Sequence, residues 1–165
     1  MTLAELNALD RLSFVDAIGW VFEHSPWVAE RTWPKRPFGT IEELHAAMVA
    51  QVETANTEEC LALLRAHPNL GTRARISAAS TGEQAGAGLD RLTPEEFESL
   101  QRLNTAYRAK FGFPFLFAVK GATKHDIFHA LERRLRESPE AEYREALRQV
   151  SRIAEFRLKE LFGQP

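Results

Sequence analysis

Apolar residues recur at steps of three and four along most of this chain, the spacing that puts side chains on one face of an α-helix. Three long series have this spacing, the last with one step missing between Ala154 and Leu161: Ile41, Leu44, Met48 and Val52; Phe97, Leu100, Leu103, Tyr107 and Phe111; and Tyr143, Leu147, Val150, Ala154 and Leu161. The pattern predicts amphipathic helices that pack around a shared core.

Helix-start signals precede these series. A side chain that can cap a helix is followed by an acid in the first turn at Thr40, Asn56, Thr93, Thr123 and Ser138. At Thr93 and Ser138 a proline also takes the first helical position. These signals predict an all-α fold, and the length favours a single-domain multi-helix bundle over residues 1–165.

Residues 111–119 break the helical pattern. This run, Phe-Gly-Phe-Pro-Phe-Leu-Phe-Ala-Val, is apolar and interrupted by glycine and proline, which predicts one buried extended segment. No second convincing strand is present to pair with it, so its backbone N–H and C=O groups need other partners. Neighbouring loops could supply them, as could a bound polar ligand, and the segment is therefore a candidate pocket wall.

Composition narrows the range of functions. The hydrophobic fraction of 44% and charged fraction of 27% are ordinary for a globular protein, and a net charge of −2 gives no argument for nucleic acid. Cys60 is the single cysteine, which favours a reducing compartment, and its leucine neighbours predict a buried core residue. Without a secretion signal, a peroxisomal tripeptide or an apolar run of ~18 residues, we expect a cytoplasmic protein with no membrane partner.

His67 is the most unusual polar residue of the chain. Cys60, Leu63, Leu64 and His67 share one helical face, so the imidazole continues an apolar stripe. Pro68 disfavours helical geometry at His67 and predicts that the helix ends there. The result is an inward-facing ring that can carry or release a proton near neutral pH.

A second polar motif follows at Ser80-Thr81-Gly82-Glu83-Gln84, with further glycines at 86 and 88. Ser80 and Glu83 fit a capping box, which would explain both without any chemistry. Gln84 and the glycines are not explained that way. Each glycine weakens a helix by up to ~1 kcal/mol relative to alanine, a cost often tolerated where the backbone must approach something closely.

Arg157 interrupts the apolar stripe of the last predicted helix, whereas Arg144, Arg148 and Arg152 lie mainly off it. An inward arginine needs an anionic or hydrogen-bonding partner. That partner is either an internal glutamate or a substrate carboxylate or urea-like carbonyl, which suits the planar guanidinium. In the second case we expect loss of the charge to spare folding.

Two alternatives remain from other classes of protein. His125 and His129 could share a metal in a hydrolase, but no third ligand is evident and Asp126 fits a first-turn acid better. A helical binding module could instead pair His67 and Arg157 with internal carboxylates. Glycine-rich nucleotide loops, nucleophile elbows and paired cysteines are absent from the sequence, so we expect any enzyme here to need neither a cofactor nor a metal.

Five motifs, taken in order, resemble those of 2-oxo-4-hydroxy-4-carboxy-5-ureidoimidazoline (OHCU) decarboxylases, enzymes of uric acid breakdown. They are Phe22-Glu23-His24-Ser25-Pro26-Trp27, His67-Pro68-Asn69-Leu70-Gly71, the Ser80–Leu89 motif, Phe111-Gly112-Phe113-Pro114-Phe115 and Arg152-Ile153-Ala154-x-x-Arg157-Leu158. The resemblance extends from Phe14 to about Leu161.

This resemblance implies an all-α, cofactor-free, often dimeric lyase that converts OHCU to (S)-allantoin. It implies catalytic roles for His67 and Glu83. It implies substrate contacts from Pro68, Ser80, Gln84, Phe115, Leu116, Phe117 and Arg157. We expect a homodimer with this small-molecule substrate as its partner.

Overall fold

The computed structural model describes residues 1–72 and 77–164, and these contain nine α-helices and no β-strand. In chain order the helices are α1 Leu3–Ala8, α2 Arg11–Ile18, α3 Trp27–Thr32, α4 Ile41–Glu53, α5 Thr57–Ala66, α6 Ala78–Gly86, α7 Pro94–Phe111, α8 Lys124–Arg134 and α9 Pro139–Leu161. The predicted all-α class is confirmed.

The predicted helix-start residues do cap helices. Thr40, Thr93 and Thr123 each accept a hydrogen bond from the backbone N–H three residues later, at the starts of α4, α7 and α8. The side chains of Asn56 and Ser138 accept in the same way at α5 and α9. Each cap satisfies an N–H that has no partner within its own helix, which is why these boundaries can be predicted locally.

The described chain divides into two compact units. The first comprises residues 1–66 together with the part of α9 from Val150 onward, and the second comprises His67–Gln149. Single-domain organisation over residues 1–165 therefore stays a prediction. Cys60 is buried in the first unit, with its Sγ 3.4 Å from the Val52 carbonyl oxygen, which confirms its predicted place in the core.

The second unit contains an aromatic cluster. The Tyr107 ring of α7 packs against the rings of Phe111, Phe113 and Phe115, with centroids 4.6, 6.0 and 5.4 Å away. Residues 114–119 form neither helix nor strand, and most of them are buried. The cluster therefore anchors the Phe-Pro-Phe segment, by which we mean residues 113–119, against α7.

Helix α9 buries the predicted face only in its second half. Val150, Ala154 and Arg157 are buried as the stripe predicts, whereas Leu161 at the end of the helix is half-buried. In the first half the buried residues are Glu142, Ala146 and Gln149, whereas Tyr143 and Leu147 are half-buried. Polar residues occupy this face because they bond to other parts of the second unit, as described below.

No helix in the described ranges is both long enough and apolar enough to cross a membrane.

Candidate active site

The turn that carries His67 follows directly from the end of α5. The helix stops at Ala66, one residue before the predicted end, and His67 is only 6% exposed. Gly71 closes the turn with a φ of +71°, and a β-carbon there would lie 2.4 Å from Leu100 Cδ2. Both the left-handed backbone and the close packing require glycine at this position.

Two buried amide side chains hold this turn. Gln84 Oε1 accepts a hydrogen bond from the Gly71 N–H at 2.8 Å, and Asn104 Nδ2 donates to the Leu70 carbonyl at 2.9 Å. Gln84 comes from α6 and Asn104 from α7. The backbone next to His67 is thus fixed by two helices of the second unit.

Three buried polar atoms at this turn have no hydrogen-bond partner within the described residues. They are Gln84 Nε2, Asn69 Oδ1 and Asn104 Oδ1. Because Gln84 Oε1 already accepts from the Gly71 N–H, its Nε2 is oriented as a donor. A buried polar atom left unsatisfied costs roughly 1–3 kcal/mol, so these atoms mark a place where a polar ligand or water would be stabilised.

The capping-box interpretation of Ser80 and Glu83 is wrong. Helix α6 begins at Ala78, and Ser77 is the cap, accepting from the Ser80 N–H at 3.2 Å. Ser80 is therefore inside the helix and buried, and Glu83 is half-buried in its middle. Helix capping does not account for either residue, which leaves the chemical interpretation of Glu83 standing.

The glycines of this motif have separate explanations. Gly88 has a φ of +81° just after α6, a conformation that favours glycine. A β-carbon at Gly82, Gly86 or Gly88 would meet no described heavy atom within 4 Å. The close approach predicted from the glycines is therefore not made to any described part of the protein.

Helix side chains supply two backbone partners of the Phe-Pro-Phe segment, and a neighbouring loop supplies a third, since the Val119 carbonyl accepts from the Ala122 N–H at 2.9 Å. Arg134 Nη1 of α8 donates to the Leu116 carbonyl at 2.5 Å. Gln149 Oε1 of α9 accepts from the Ala118 N–H at 2.9 Å. Phe115 and Leu116 are buried, and Phe117 is half-buried. The roles of these three residues as substrate contacts stay predictions.

Arg157 lies in the first unit and pairs with a glutamate. Its Nη2 is 2.8 Å from Glu23 Oε2, and its Nη1 is 3.3 Å from the carbonyl oxygens of Trp20 and Val21. The side chains of Arg157 and Glu23 are 3% and 2% exposed. The internal partner left open by the sequence is therefore present. Removing the charge would strand the Glu23 carboxylate, so the condition under which folding is expected to be spared is not met.

Three further histidines of the motifs, His24, His125 and His129, are exposed. The capping hydrogen bond from the Thr123 N–H lowers the pKa of Asp126 below its usual value. Within the described ranges there is no group of three or more His, Cys, Asp or Glu side chains arranged to hold a metal. His24 is exposed and has a φ of +46°.

Comparison with known proteins identifies the family. A protein-family model described as OHCU decarboxylase matches residues 7–159. This chain belongs to the OHCU decarboxylase family. As a member of that family it is a decarboxylating lyase. One relative, the 2-oxo-4-hydroxy-4-carboxy-5-ureidoimidazoline decarboxylase of Haloferax volcanii, is 51% identical over 99% of this chain and 97% of its own length. The mouse (Mus musculus) protein of the same name is 35% identical over 99% of this chain and 94% of its own length.

Solved structures agree with the family assignment. An (S)-allantoin synthase is 35% identical, with a TM-score of 0.81, over 98% of this chain and 54% of that chain. This chain thus spans about half the length of that solved chain. An OHCU decarboxylase solved in the presence of (S)-allantoin shares the fold, with a TM-score of 0.73 at 23% identity over 94% of this chain and all of its own.

Proposed function

We propose that the protein decarboxylates OHCU to (S)-allantoin in uric acid degradation. The observation that carries this proposal is the 51% identity, over almost the full length of both chains, to a relative named for that decarboxylation. The His67 turn supports it independently, because it carries a residue suited to proton transfer and is held by side chains with buried polar atoms that have no described hydrogen-bond partner.

The chemistry requires one carbon–carbon bond to break and one carbon–hydrogen bond to form. When CO₂ leaves, the bonding electron pair forms a carbon–carbon double bond, and the imine electrons move onto the ring nitrogen, which takes up a proton to give a neutral enol. The enol hydroxyl then loses its proton as it becomes a carbonyl, and the carbon that bears the ureido group gains one. The enzyme must hold the carboxylate out of the ring plane and stabilise the developing charge. Since the imine of the substrate accepts the bonding electron pair, the proposed reaction needs no cofactor as an electron sink.

His67 and Glu83 are the proposed proton-transfer pair. An imidazole can take or give a proton at neutral pH, and a nearby carboxylate can orient it and favour its charged form. Glu83 directly precedes Gln84 in α6, and the side chain of Gln84 is hydrogen-bonded to the His67 turn. Protonation from one face of the ring gives a single enantiomer of allantoin.

The remaining side chains of the proposed site bind the substrate. Gln84 Nε2 donates to a polar atom of the ring, since its own oxygen is already used. Pro68, Ser80, Phe115 and the backbone of Leu116 and Phe117 complete the contacts within the second unit. Arg157 is included on the family resemblance alone.

The assay uses freshly generated OHCU and purified protein treated exhaustively with a chelator. The proposal expects substrate loss well above the rate without protein, with stoichiometric CO₂ release. Activity that disappears on chelation and returns with zinc would contradict a cofactor-free reaction and revive the His125 and His129 alternative.

We also propose that the protein is a cytoplasmic homodimer. The family resemblance implies the dimer, and two exposed apolar side chains of the first unit, Leu12 and Trp20, are suited to an interface. Light scattering coupled to gel filtration tests this: a mass of one chain would contradict it.

A further inference from the structure

One buried guanidinium connects the Phe-Pro-Phe segment to α9. Arg134 Nε donates to Glu142 Oε1 at 2.6 Å, and the Tyr107 hydroxyl donates to the same oxygen at 2.5 Å. The same guanidinium also donates, through Arg134 Nη1, to the Leu116 carbonyl. The guanidinium also lies 4.5 Å from the centre of the Phe115 ring.

Stability alone does not explain this arrangement. Desolvating an arginine and a glutamate is costly, and apolar side chains of similar volume often serve a core as well or better. Arg134 and Glu142 are nevertheless 5% and 1% exposed. What an apolar side chain could not do is bind the carbonyl of a segment that has no strand partner.

A second side chain fixes the next peptide unit. Gln149 Oε1 accepts from the Ala118 N–H, while its Nε2 donates to Glu145 Oε1 at 2.9 Å and so fixes the orientation of the amide. Together, Arg134 and Gln149 hold the two peptide groups on either side of Phe117.

Because peptide groups are planar, these two contacts determine the directions in which the Phe117 N–H and C=O point. A trans peptide is planar, and its C=O and N–H point in opposite directions. With the Leu116 carbonyl held by Arg134, the Phe117 N–H points away from Arg134. With the Ala118 N–H held by Gln149, the Phe117 C=O points away from Gln149. No hydrogen bond among the described residues uses either of these Phe117 groups.

We propose that Arg134 and Gln149 are positioning residues that present the Phe117 N–H and C=O to the substrate as one donor and one acceptor. The inference rests on the proposed function, in which residues 115–117 contact OHCU. A ureido group offers both N–H donors and a carbonyl acceptor, as this pair of backbone groups requires, and the proposed function already assigns a contact with the ring to Gln84. Neither positioning side chain needs to touch the substrate.

The test measures KM and kcat for OHCU in Gln149→Met and Arg134→Lys. Gln149→Met keeps the length and neutrality of the side chain and removes only its hydrogen bonding. Arg134→Lys keeps the charge and removes the fork that reaches both Leu116 and Glu142. Gln101→Met is the matched control, because it makes the same substitution at a half-buried position of α7 that takes no part in these contacts.

We expect folded Gln149→Met to raise KM roughly 3- to 10-fold, the factor of one misplaced hydrogen bond, while kcat stays within about 2-fold. Arg134→Lys should do the same, and the Phe117 amide signal in NMR spectra should shift in both variants and not in the control. Wild-type KM in folded Gln149→Met would overturn the inference even if Arg134→Lys does not fold. An inactive wild-type protein would overturn the proposed function instead, and this inference with it.

Discussion

Gln84 of α6 accepts a hydrogen bond from the Gly71 N–H at 2.8 Å, and this contact joins the two polar motifs of the sequence. It fixes the end of the His67 turn and leaves the amide nitrogen of Gln84 as a buried donor. One side chain therefore has two separable roles, in folding and in binding, and the first prediction concerns it.

Replacing Gln84 by methionine removes both roles at similar volume. The Gly71 N–H is then buried without its acceptor, so we expect the free energy of unfolding to fall by roughly 1–3 kcal/mol. The KM for OHCU should rise as the Nε2 donor is lost. Urea denaturation and steady-state kinetics measure the two effects. Wild-type stability and wild-type KM would show that Gln84 neither stabilises the turn nor binds the substrate.

Glu83→Gln separates chemistry from capping. Since Ser77 caps α6, the carboxylate of Glu83 contributes no cap, and the melting temperature should stay within a few degrees of wild type. Turnover should fall by at least ~10²-fold if Glu83 takes part in proton transfer. A variant with normal turnover would show that Glu83 is not part of the reaction.

Arg157→Met strands a buried carboxylate, because Glu23 loses its ion-pair partner. We expect destabilisation of roughly 3–5 kcal/mol, the usual result of breaking a buried pair by removing one member. The double variant Arg157→Met with Glu23→Met should recover most of that stability. Affinity for a substrate analogue, measured on the stable double variant, then tests the substrate-binding role: unchanged affinity would restrict Arg157 to the ion pair.

Glu96 predicts a pH dependence of stability. Hydrogen bonds from the Thr93 backbone and from Lys124 lower its pKa to about 2, below the ordinary value of 4.5. A group with a depressed folded-state pKa stabilises the protein fully above 4.5, and this stabilisation is lost as the pH falls toward 2. The stability difference between wild type and Glu96→Gln should therefore be largest above pH 5 and shrink below pH 4.5. A difference that is constant between pH 6 and 3 would contradict this.

Local features of the sequence predict much of the fold. A cap bonds to a backbone N–H three residues away, so the starts of α4 and α7 can be located from Thr40 and Thr93 alone. The end of α5 next to Pro68 is equally local. The start of α6 is harder to locate, because Ser77 and Ser80 both carry a capping hydroxyl. The choice depends on burial of Ser80, which the sequence does not show.

The sequence does not predict which side chains far apart in the chain pair with each other. Glu23 is the partner of Arg157, but the two are far apart in the chain and nothing local couples them. Arg134 is not identified from the sequence, although, like Arg157, it is a charged residue at a position of an apolar helical stripe. It follows Ile127 and Leu131 at helical spacing, so it too occupies an apolar stripe. A polar residue on such a stripe is the signal that would have found it.

The stereochemistry of the product tests the central claim most directly. Wild-type protein and His67→Asn are each incubated with freshly generated OHCU, and circular dichroism of the allantoin is recorded as it forms. We predict (S)-allantoin from wild type, and at least ~10²-fold slower formation with the folded His67→Asn variant, the low end of a general acid–base contribution. Racemic allantoin from wild type, or (S)-allantoin formed at the wild-type rate by His67→Asn, would contradict the account.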